Sequence, residues 1–208
     1  MKLYYAETIA PQKVCAVAKY LGSPIEYVHV DLGKGENRTP AYLAINPNGK
    51  VPALVHGNKR VLEADAINAY LARAAGSDLW PTDDRQIEVL RWLSWNTDHF
   101  TRHGGALYFE HRIKRLLLNM APDAAVVDEA TGYFKTFAGV LNDHLRGRKY
   151  LLDETLTIAD FAVGATLPYA AEIKLPLAGF SEVERWHARL NDLPAWRQPF
   201  PEPTSAAA

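Results

Sequence analysis

The sequence contains little cysteine and no surplus of either charge. Its single cysteine, Cys15, cannot form a disulfide within the chain, and a Cys-x-x-Cys redox pair is impossible, so dithiol exchange chemistry is excluded. The 23 basic and 24 acidic residues give a formal net charge of -1 at pH 7. Nucleic-acid binders usually carry a basic surplus, and we therefore predict no nucleic-acid partner.

Long apolar runs are also missing. No stretch of about 18 uninterrupted apolar residues occurs, which predicts that no segment spans a membrane. The N-terminal sequence MKLYYAETIAPQKV has neither the apolar core nor the small-residue cleavage site of a signal peptide. We therefore expect a cytoplasmic protein with no membrane partner. The proline-rich C-terminal residues 199–208 are expected to form a loose tail.

What the chain does contain is an ordinary globular composition, with 48% hydrophobic and 23% charged residues. This is enough apolar material for a sizeable core, and it excludes wholesale disorder. A length of 208 residues corresponds to one large domain or two small ones. Aromatic residues are well represented, with five tryptophans, ten tyrosines and seven phenylalanines.

The first third of the chain alternates between strand and helix patterns, and the remainder contains only helix patterns. Strands are predicted at residues 2–5, 25–30, 51–55 and 59–62, and helices at residues 13–21 and 63–75. After the turn sequence GSDLWP, helices are predicted at residues 85–118, 123–145, 158–171 and 182–193. The pair Gly104-Gly105 is the expected kink in the first of these. The sequence predicts a small α/β domain followed by an all-helical domain.

Three motifs, and the order in which they occur, resemble the cytosolic glutathione S-transferase superfamily. The sequence as a whole is most similar to bacterial members of that superfamily. The motifs are NPNGKVPAL (residues 46–54), LEADAI (residues 62–67) and LTIAD (residues 156–160). The resemblance covers nearly the whole chain. It implies a thioredoxin-like N-terminal domain of residues 1–76 that binds glutathione, and an all-helical domain of residues 87–200 with the acceptor-substrate site. It also implies a homodimer.

The first two motifs imply how glutathione would be held. In this family the proline of the first motif follows a cis bond, which X–Pro peptides adopt at small cost. The backbone of Val51, before Pro52, would then pair with the cysteinyl part of glutathione by strand addition. Lys50 or Lys13 would contribute a positive field. Glu63, at the turn in the second motif, would receive the amino group of glutathione.

Position 64 departs from the family pattern, because Ala64 stands where the family has serine. The helix N-terminus there would offer N–H groups to the γ-glutamyl carboxylate, and the backbone N–H of Ala64 remains. Loss of the hydrogen bond from the serine hydroxyl to a charged group, worth about 1.5–3 kcal/mol, predicts an affinity for glutathione roughly tenfold to a hundredfold lower.

The third motif resembles a buried capping box, in which Thr157 and Asp160 serve folding rather than chemistry.

The loop after the first strand carries the second departure. Family members activate glutathione there with a hydroxyl or replace it with cysteine, because a hydrogen bond to the thiolate lowers the thiol pKa. The serine position falls on Ile9, which cannot donate. Some bacterial members place a threonine one residue earlier, which falls on Thr8. We favour Thr8 over Tyr5 as the activating residue, and the other interpretation is that Thr8 is a turn residue at the start of the helix.

Cys15 is expected to be a buried core thiol.

The first long helix flanks the cleft in this fold, so His99, Phe100, His103 and Tyr108 are candidates for the acceptor site, although some are expected to pack between helices. The spacing of His99 and His103 can bind a metal, but no HExxH motif or clear third ligand accompanies them, and no metal is predicted. The basic sequence HRIKR, residues 111–115, is interpreted as a solvated helix face, with a local anion or dimer role as the alternative.

These features predict a glutathione transferase with glutathione as co-substrate. It would conjugate or reduce small hydrophobic electrophiles or peroxides with the glutathione thiolate. Ile9 and Ala64 motivate an alternative, a glutathione-binding or scaffold protein that has the fold but degraded catalysis. A glutathione-dependent peroxidase or disulfide reductase is the other alternative.

Overall fold

The computed structural model describes residues 1–202, so residues 203–208 of the predicted tail lie outside the described residues. Contacts divide the chain into two compact units. The first contains Met1–Ala75 together with the chain from Leu193 onward, and the second contains Gly76–Asp192. The C-terminal boundary of the helical unit is therefore Asp192, whereas the sequence suggested about residue 200.

A four-stranded sheet forms the centre of the first unit, in the order β2-β1-β3-β4. Strand β1 pairs parallel with β2 and antiparallel with β3, and β3 and β4 form a hairpin. The core of this unit contains fully buried side chains from the sheet and helices, such as Leu3, Val14, Leu54 and Ile67. The strands are β1 (Lys2–Tyr5), β2 (Glu26–His29), β3 (Ala53–His56) and β4 (Lys59–Leu62).

The helices of the first unit are α1 (Ile9–Tyr20), the short α2 (Pro40–Leu43), α3 (Ala64–Ala74) and the short α9 (Pro194–Arg197). Helix α1 begins four residues earlier than predicted, since Pro11 falls within its first turn, where a missing N–H has no intrahelical partner to lose. It ends as predicted before Gly22, whose φ of 60° suits glycine. This arrangement confirms the predicted thioredoxin-like domain.

The C-terminal segment is attached to α1 rather than loose at residues 198–200. The ammonium group of Lys19 donates to the main-chain carbonyl oxygens of Gln198 and Phe200, at 2.8 and 2.6 Å. The ring of Phe200 stacks on Tyr5 with centroids 6.0 Å apart, and Trp196 is 1% exposed. These contacts correct the expectation of a loose tail for its first residues.

The second unit is helical throughout its main elements, which confirms the predicted all-helical domain. Its first long helix is continuous but not regular, because π-helical segments at Asn96–Phe100 and Phe109–Leu118 follow α4 (Arg85–Trp95) and α5 (Thr101–Tyr108). Both glycines of the predicted kink, Gly104-Gly105, lie inside α5, and the irregular π-helical segments come before and after that helix. A Cβ on Gly104 would lie 3.1 Å from Oγ1 of Thr166 and 3.2 Å from Phe134, so Gly104 permits close packing instead.

The remaining helices of this unit are α6 (Ala124–His144), α7 (Ile158–Val163) and α8 (Ser181–Asn191). Residues 158–171, predicted as one helix, change to a 3-10 helix at Gly164–Tyr169, which contains Pro168. Asp160 is fully buried and accepts hydrogen bonds from the backbone N–H groups of Leu151 and Thr157, both at 2.9 Å, and from Nε1 of Trp186 at 3.0 Å. Its role is structural, as predicted for the third motif.

No helix within residues 1–202 combines the length and the apolar character needed to cross a membrane.

Candidate functional site

Three segments of the first unit come together at one end of the sheet. Tyr4 of β1 is opposite Ala53 of β3, and Ala53 is opposite Leu62 of β4. Because β3 is antiparallel to both neighbours, the loop after β1, the residues before β3 and the residue after β4 lie at the same end. This register brings the predicted site residues of the first unit to the same end of the sheet, namely Tyr5, Thr8, Lys50, Val51, Pro52, Glu63 and Ala64.

Thr8 occupies the N-cap position of α1 with an extended backbone, φ -130° and ψ 167°. An N-cap threonine usually accepts a hydrogen bond from the first turn, but the side chain of Thr8 makes no such bond. The loop before it is held by Glu7, whose carboxylate lies 3.0 Å from Nε2 of His29. The half-buried Thr8 hydroxyl is therefore available to a ligand, whereas Ile9, the first helical residue, has no hydroxyl to offer.

Tyr5, the alternative hydroxyl, is a packing residue in this structure. It is 8% exposed, and its ring makes edge contacts with Tyr27 and His29 in addition to the stack with Phe200. Burial raises the pKa of the Tyr5 hydroxyl. The surroundings of Tyr5 thus favour Thr8 for a role beside a thiolate.

The segment before β3 is fixed by side chains that leave Val51 free. The carbonyl oxygen of Lys50 accepts from the Tyr42 hydroxyl and from Nδ2 of Asn46, both at 2.7 Å. The bond between Val51 and Pro52 is cis. Neither the N–H nor the C=O of Val51 has a backbone partner anywhere in the described chain. An extended peptide could therefore pair with Val51.

Glu63 and the start of α3 form the third part of the site. The backbone of Glu63 has φ 66° and ψ 125°, a region that costs a non-glycine residue about 1–3 kcal/mol and that occurs preferentially at ligand sites. Its exposed side chain makes no cap hydrogen bond. The N–H groups of Ala64 and Asp65, in the first helical turn, have no intrahelical acceptor. The turn therefore presents N–H donors together with a carboxylate.

The two lysines proposed as sources of positive charge have different surroundings. Lys13 is buried, and its ammonium group lies 2.6 Å from Oδ1 of Asp65, so this ion pair between α1 and α3 offsets its charge. Lys50 is exposed. Lys50 is therefore the better candidate for a positive field at this end of the sheet.

Cys15 is fully buried in α1, and burial raises its pKa to about 12. A thiol in this state is neither accessible nor ionised near neutral pH. Any thiol chemistry at this site therefore needs a thiol that the ligand supplies.

The predicted acceptor-site residues of the helical unit differ in how deeply they are buried. His99 stacks on Phe137 with centroids 4.4 Å apart, and His103 stacks on Tyr133 at 4.8 Å; both histidines are half-buried. Phe100 is 0% exposed and packs against another core phenylalanine, so it does not belong to an accessible site. Tyr108 is 4% exposed.

Burial lowers the pKa of His103, which keeps its imidazole neutral near pH 7. Within residues 1–202, no group of three or more His, Cys, Asp or Glu side chains is arranged to share a metal ion.

Some residues that shape the site were not singled out from the sequence. Tyr42 and Asn46 hold the Lys50 carbonyl, and Asn37 donates to the Gly49 carbonyl oxygen at 2.7 Å. The repeated asparagines around Pro47 and Gly49 were a usable signal, because such side chains often bond to backbone within a turn. The bond from Tyr42 had no comparable signal.

A thioredoxin-like unit with a free pairing edge at a cis-proline, joined in sequence to an all-helical unit, is the architecture that the resemblance implies, and comparison with known families agrees. Residues 1–73 match the family model "Glutathione S-transferase, N-terminal domain", and residues 103–194 match "Glutathione S-transferase, C-terminal domain". The chain belongs to the glutathione S-transferase superfamily.

Individual relatives support the same assignment. The chain is 33% identical to glutathione S-transferase 3 of Zea mays over 98% of its length and 97% of the relative. It is 28% identical to the disulfide-bond oxidoreductase YfcG of Escherichia coli (strain K12), over 94% of this chain and 92% of that one. A glutathione transferase from Burkholderia graminis, solved with two glutathione molecules per subunit, superposes with a TM-score of 0.85 at 26% identity, covering 98% of this chain and 88% of that one.

Proposed function

We propose that this protein is a glutathione transferase that uses Thr8 to stabilise the glutathione thiolate. Glutathione lies at the end of the sheet where Val51, Glu63 and the start of α3 meet. The Val51 N–H and C=O pair with its cysteinyl part, and the free N–H groups of Ala64 and Asp65 hold the γ-glutamyl carboxylate. Glu63 binds the amino group, and Lys50 supplies positive charge.

One observation carries this proposal: the unpaired groups at that end of the sheet match glutathione part by part. Val51 lacks backbone partners in the described chain, Thr8 makes no cap bond, and α3 begins with free N–H groups. A peptide needs backbone pairing, a carboxylate needs N–H donors, and a thiolate needs a hydroxyl donor. The glutathione-bound relative from Burkholderia graminis supports glutathione as the ligand.

The chemistry requires little beyond placing and ionising the thiol. A hydrogen bond from Thr8 Oγ1 favours the thiolate over the thiol, and the thiol proton passes to solvent. The sulfur then forms a bond to the electrophilic carbon of the acceptor while the leaving group departs with its electron pair. Acceptors are small hydrophobic electrophiles held by the helical unit, where His99, His103 and Tyr108 are the candidate residues.

The Thr8→Val substitution tests this assignment, because valine keeps the shape of threonine and removes the hydroxyl. We expect kcat/KM with chlorodinitrobenzene to fall about tenfold to a hundredfold, and the pKa of bound glutathione to rise by about one to two pH units. The thiolate absorbance of the glutathione complex, titrated against pH, measures the second effect. Thr8→Ser is the matched control and should retain most activity. Unchanged turnover in Thr8→Val would reject Thr8 as the activating residue.

A second candidate function is reduction of disulfides, favoured by the similarity to the Escherichia coli disulfide-bond oxidoreductase YfcG. Because Cys15 is buried with a pKa of about 12, both electrons must come from two glutathione molecules. One thiolate attacks the substrate disulfide and releases a thiol; the second resolves the mixed disulfide, giving oxidised glutathione and a second thiol. Turnover of a small disulfide without any conjugation activity would select this function.

Turnover, measured on protein that is retained on glutathione resin, separates both enzymes from the remaining alternative. A binding or scaffold protein with degraded catalysis would be retained but would turn over neither chlorodinitrobenzene nor a disulfide. Ile9 and Ala64 are the residues that motivate this alternative. Homodimerisation and a cytoplasmic location remain predictions, and size-exclusion chromatography with light scattering tests the first.

A further inference from the structure

The basic sequence at residues 111–115 is not a freely solvated helix face. Arg112 is paired with Glu172, and Nη2 of Arg115 lies 2.9 Å from the other oxygen of the same carboxylate. Lys114 instead pairs at 2.7 Å with Glu110, a buried carboxylate on the same helix. The cluster therefore divides into one neutral pair and two guanidinium groups that share a single carboxylate.

This sharing leaves positive charge uncompensated. Lys174, two residues after Glu172, is exposed and adds a third cation. Burial and, next, the charge of Lys174 lower the pKa of His111, so this neighbouring imidazole is neutral near pH 7. Two guanidinium groups thus share one carboxylate, and Lys174 adds positive charge near His111, so positive charge exceeds negative charge in this region.

Two aromatic rings lie beneath the guanidinium of Arg112. Its central carbon is 5.1 Å from the ring centroid of Tyr169 and 5.9 Å from that of Tyr108, and the two rings meet edge to face at 5.0 Å. Planar guanidinium groups stack on aromatic faces and pair with carboxylates in a forked geometry. An aromatic ring with an attached carboxylate matches both features.

The hydroxyl of Tyr108 provides an independent sign of a missing ligand. It is buried beside the Arg112 guanidinium, and no acceptor for its proton lies among residues 1–202. Arginine can only donate, so Arg112 cannot accept the hydroxyl proton. A buried hydroxyl without an acceptor is costly and calls for a specific explanation. The residue also borders the π-helical segment Phe109–Leu118, and such segments are frequent at functional sites.

We propose that this anion cluster, defined as Tyr108, Arg112, Arg115, Tyr169, Glu172 and Lys174, binds the anionic group of the acceptor, and that the preferred acceptors are aromatic carboxylates. Arg112 and Arg115 pair with the carboxylate, the Tyr108 hydroxyl donates to it, and the acceptor ring packs on Tyr169. The inference rests on the proposed transferase function, because it names the class of acceptor for that reaction.

A pair of matched electrophiles tests the proposal. Chlorodinitrobenzene and its carboxylate analogue chlorodinitrobenzoate undergo the same reaction: the glutathione sulfur bonds to the ring carbon, chloride leaves with the bonding electrons, and the thiol proton goes to solvent. Each kcat/KM is divided by the uncatalysed rate constant, so that the ratio of the two measures recognition alone. We expect the wild-type protein to favour the carboxylate.

Variants of opposite charge sign sharpen the test. Arg115→Gln should lower the normalised rate with the carboxylate about three- to fivefold, and Glu172→Gln should raise it by a similar factor, since each changes one exposed or half-exposed charge. The measured quantity in each variant is the ratio of the normalised rate with the carboxylate to that with the neutral electrophile. Arg146→Gln and Asp143→Asn, which break an exposed ion pair elsewhere in the unit, are the controls for net charge.

Binding of unreactive analogues provides a readout that does not depend on turnover. Dinitrobenzoate should quench tryptophan fluorescence at lower concentration than dinitrobenzene, and added salt should weaken only the binding of the carboxylate. Equal binding of both analogues, or a ratio of rates that Arg115→Gln and Glu172→Gln leave unchanged, would overturn the proposal. If the neutral electrophile is still conjugated in that case, the proposed transferase function stands. If no electrophile is conjugated but the carboxylate analogue still binds selectively, the transferase function is rejected and the cluster remains a carboxylate-binding site.

Discussion

One end of the sheet in the first unit and the surroundings of Asp160 in the helical unit differ in how their polar groups are paired. At one end of the first unit's sheet, the Thr8 hydroxyl and the backbone of Val51 lack partners in the described chain, and Glu63 has a costly backbone conformation. In the helical unit, both oxygens of the buried Asp160 accept hydrogen bonds, Oδ1 from Leu151 and Trp186 and Oδ2 from Thr157. At these two sites, unpaired polar groups indicate where a ligand binds, and paired polar groups stabilise the fold.

Of the predictions below, the greatest loss of stability is expected for Asp160, whose carboxylate oxygens are paired. Asp160→Ala removes the acceptor for the N–H groups of Leu151, Thr157 and Trp186, all buried. At about 1–3 kcal/mol for each of the three unsatisfied donors, the free energy of unfolding should fall by about 3–9 kcal/mol. Denaturation by urea at pH 7 measures this loss.

Asp143→Ala removes an exposed carboxylate of the same unit and serves as the control, with an expected change within about 0.5 kcal/mol. A loss below about 1 kcal/mol for Asp160→Ala would mean that its hydrogen bonds contribute little to stability.

A second prediction concerns pH and the helical unit. Burial lowers the pKa of His187 to about 4, so the folded protein keeps this imidazole neutral while the unfolded chain protonates it near pH 6.5. The unfolded state then binds more protons, and stability present above about pH 6.5 is lost as the pH falls toward about 4. At about pH 4.5 this amounts to about 2 kcal/mol.

His187→Gln removes this titration, so the wild type should lose about 2 kcal/mol more than the variant between pH 7 and about pH 4.5. The measured quantity is the difference between the two proteins, because burial also raises the pKa of Asp160 to about 6 and this acts in the opposite direction. Parallel pH profiles for the two proteins would contradict the prediction.

A smaller change is expected at the end of the sheet where polar groups are unpaired. Glu63→Gln removes the negative charge proposed to bind the amino group of glutathione, and the dissociation constant should rise about tenfold, which titration calorimetry measures. Glu26→Gln, which removes an exposed carboxylate paired with Lys2, is the control. Glu63→Gly should weaken binding similarly without lowering stability, because glycine accepts a φ of 66° at little cost. Unchanged affinity in both variants would exclude Glu63 from the site.

The sequence predicted the order of elements and the residues that share one end of the sheet, because both follow from local patterns and from motifs. Ranges for the strands and α6 came close for the same reason. The start of α1 was placed four residues late because the apolar spacing that indicates the helix begins only at Val14, although the first turn tolerates Pro11. The irregular segments of the first long helix lie on either side of Gly104-Gly105 rather than at these glycines, where the absence of a side chain allows close packing against Thr166.

Contacts between residues distant in sequence account for most of what could not be predicted. Glu172 lies 60 residues from Arg112, and Lys19 lies about 180 residues from its acceptors at the C-terminal end. No spacing rule connects such pairs, since they depend on the packing of whole helices. The burial of Tyr5 and Phe100 has the same origin, and it decided which of two hydroxyls and which of several aromatic residues remain candidates.

The burial of Cys15 also makes the chain a convenient host for site-directed labelling. Its sulfur is inaccessible and almost fully protonated at neutral pH, so alkylating reagents should leave the wild-type protein unmodified. A cysteine introduced at the surface would then be the one thiol that accepts a fluorophore or a spin label. Probes placed in either unit could therefore follow motion in that unit alone, without removing any native residue first.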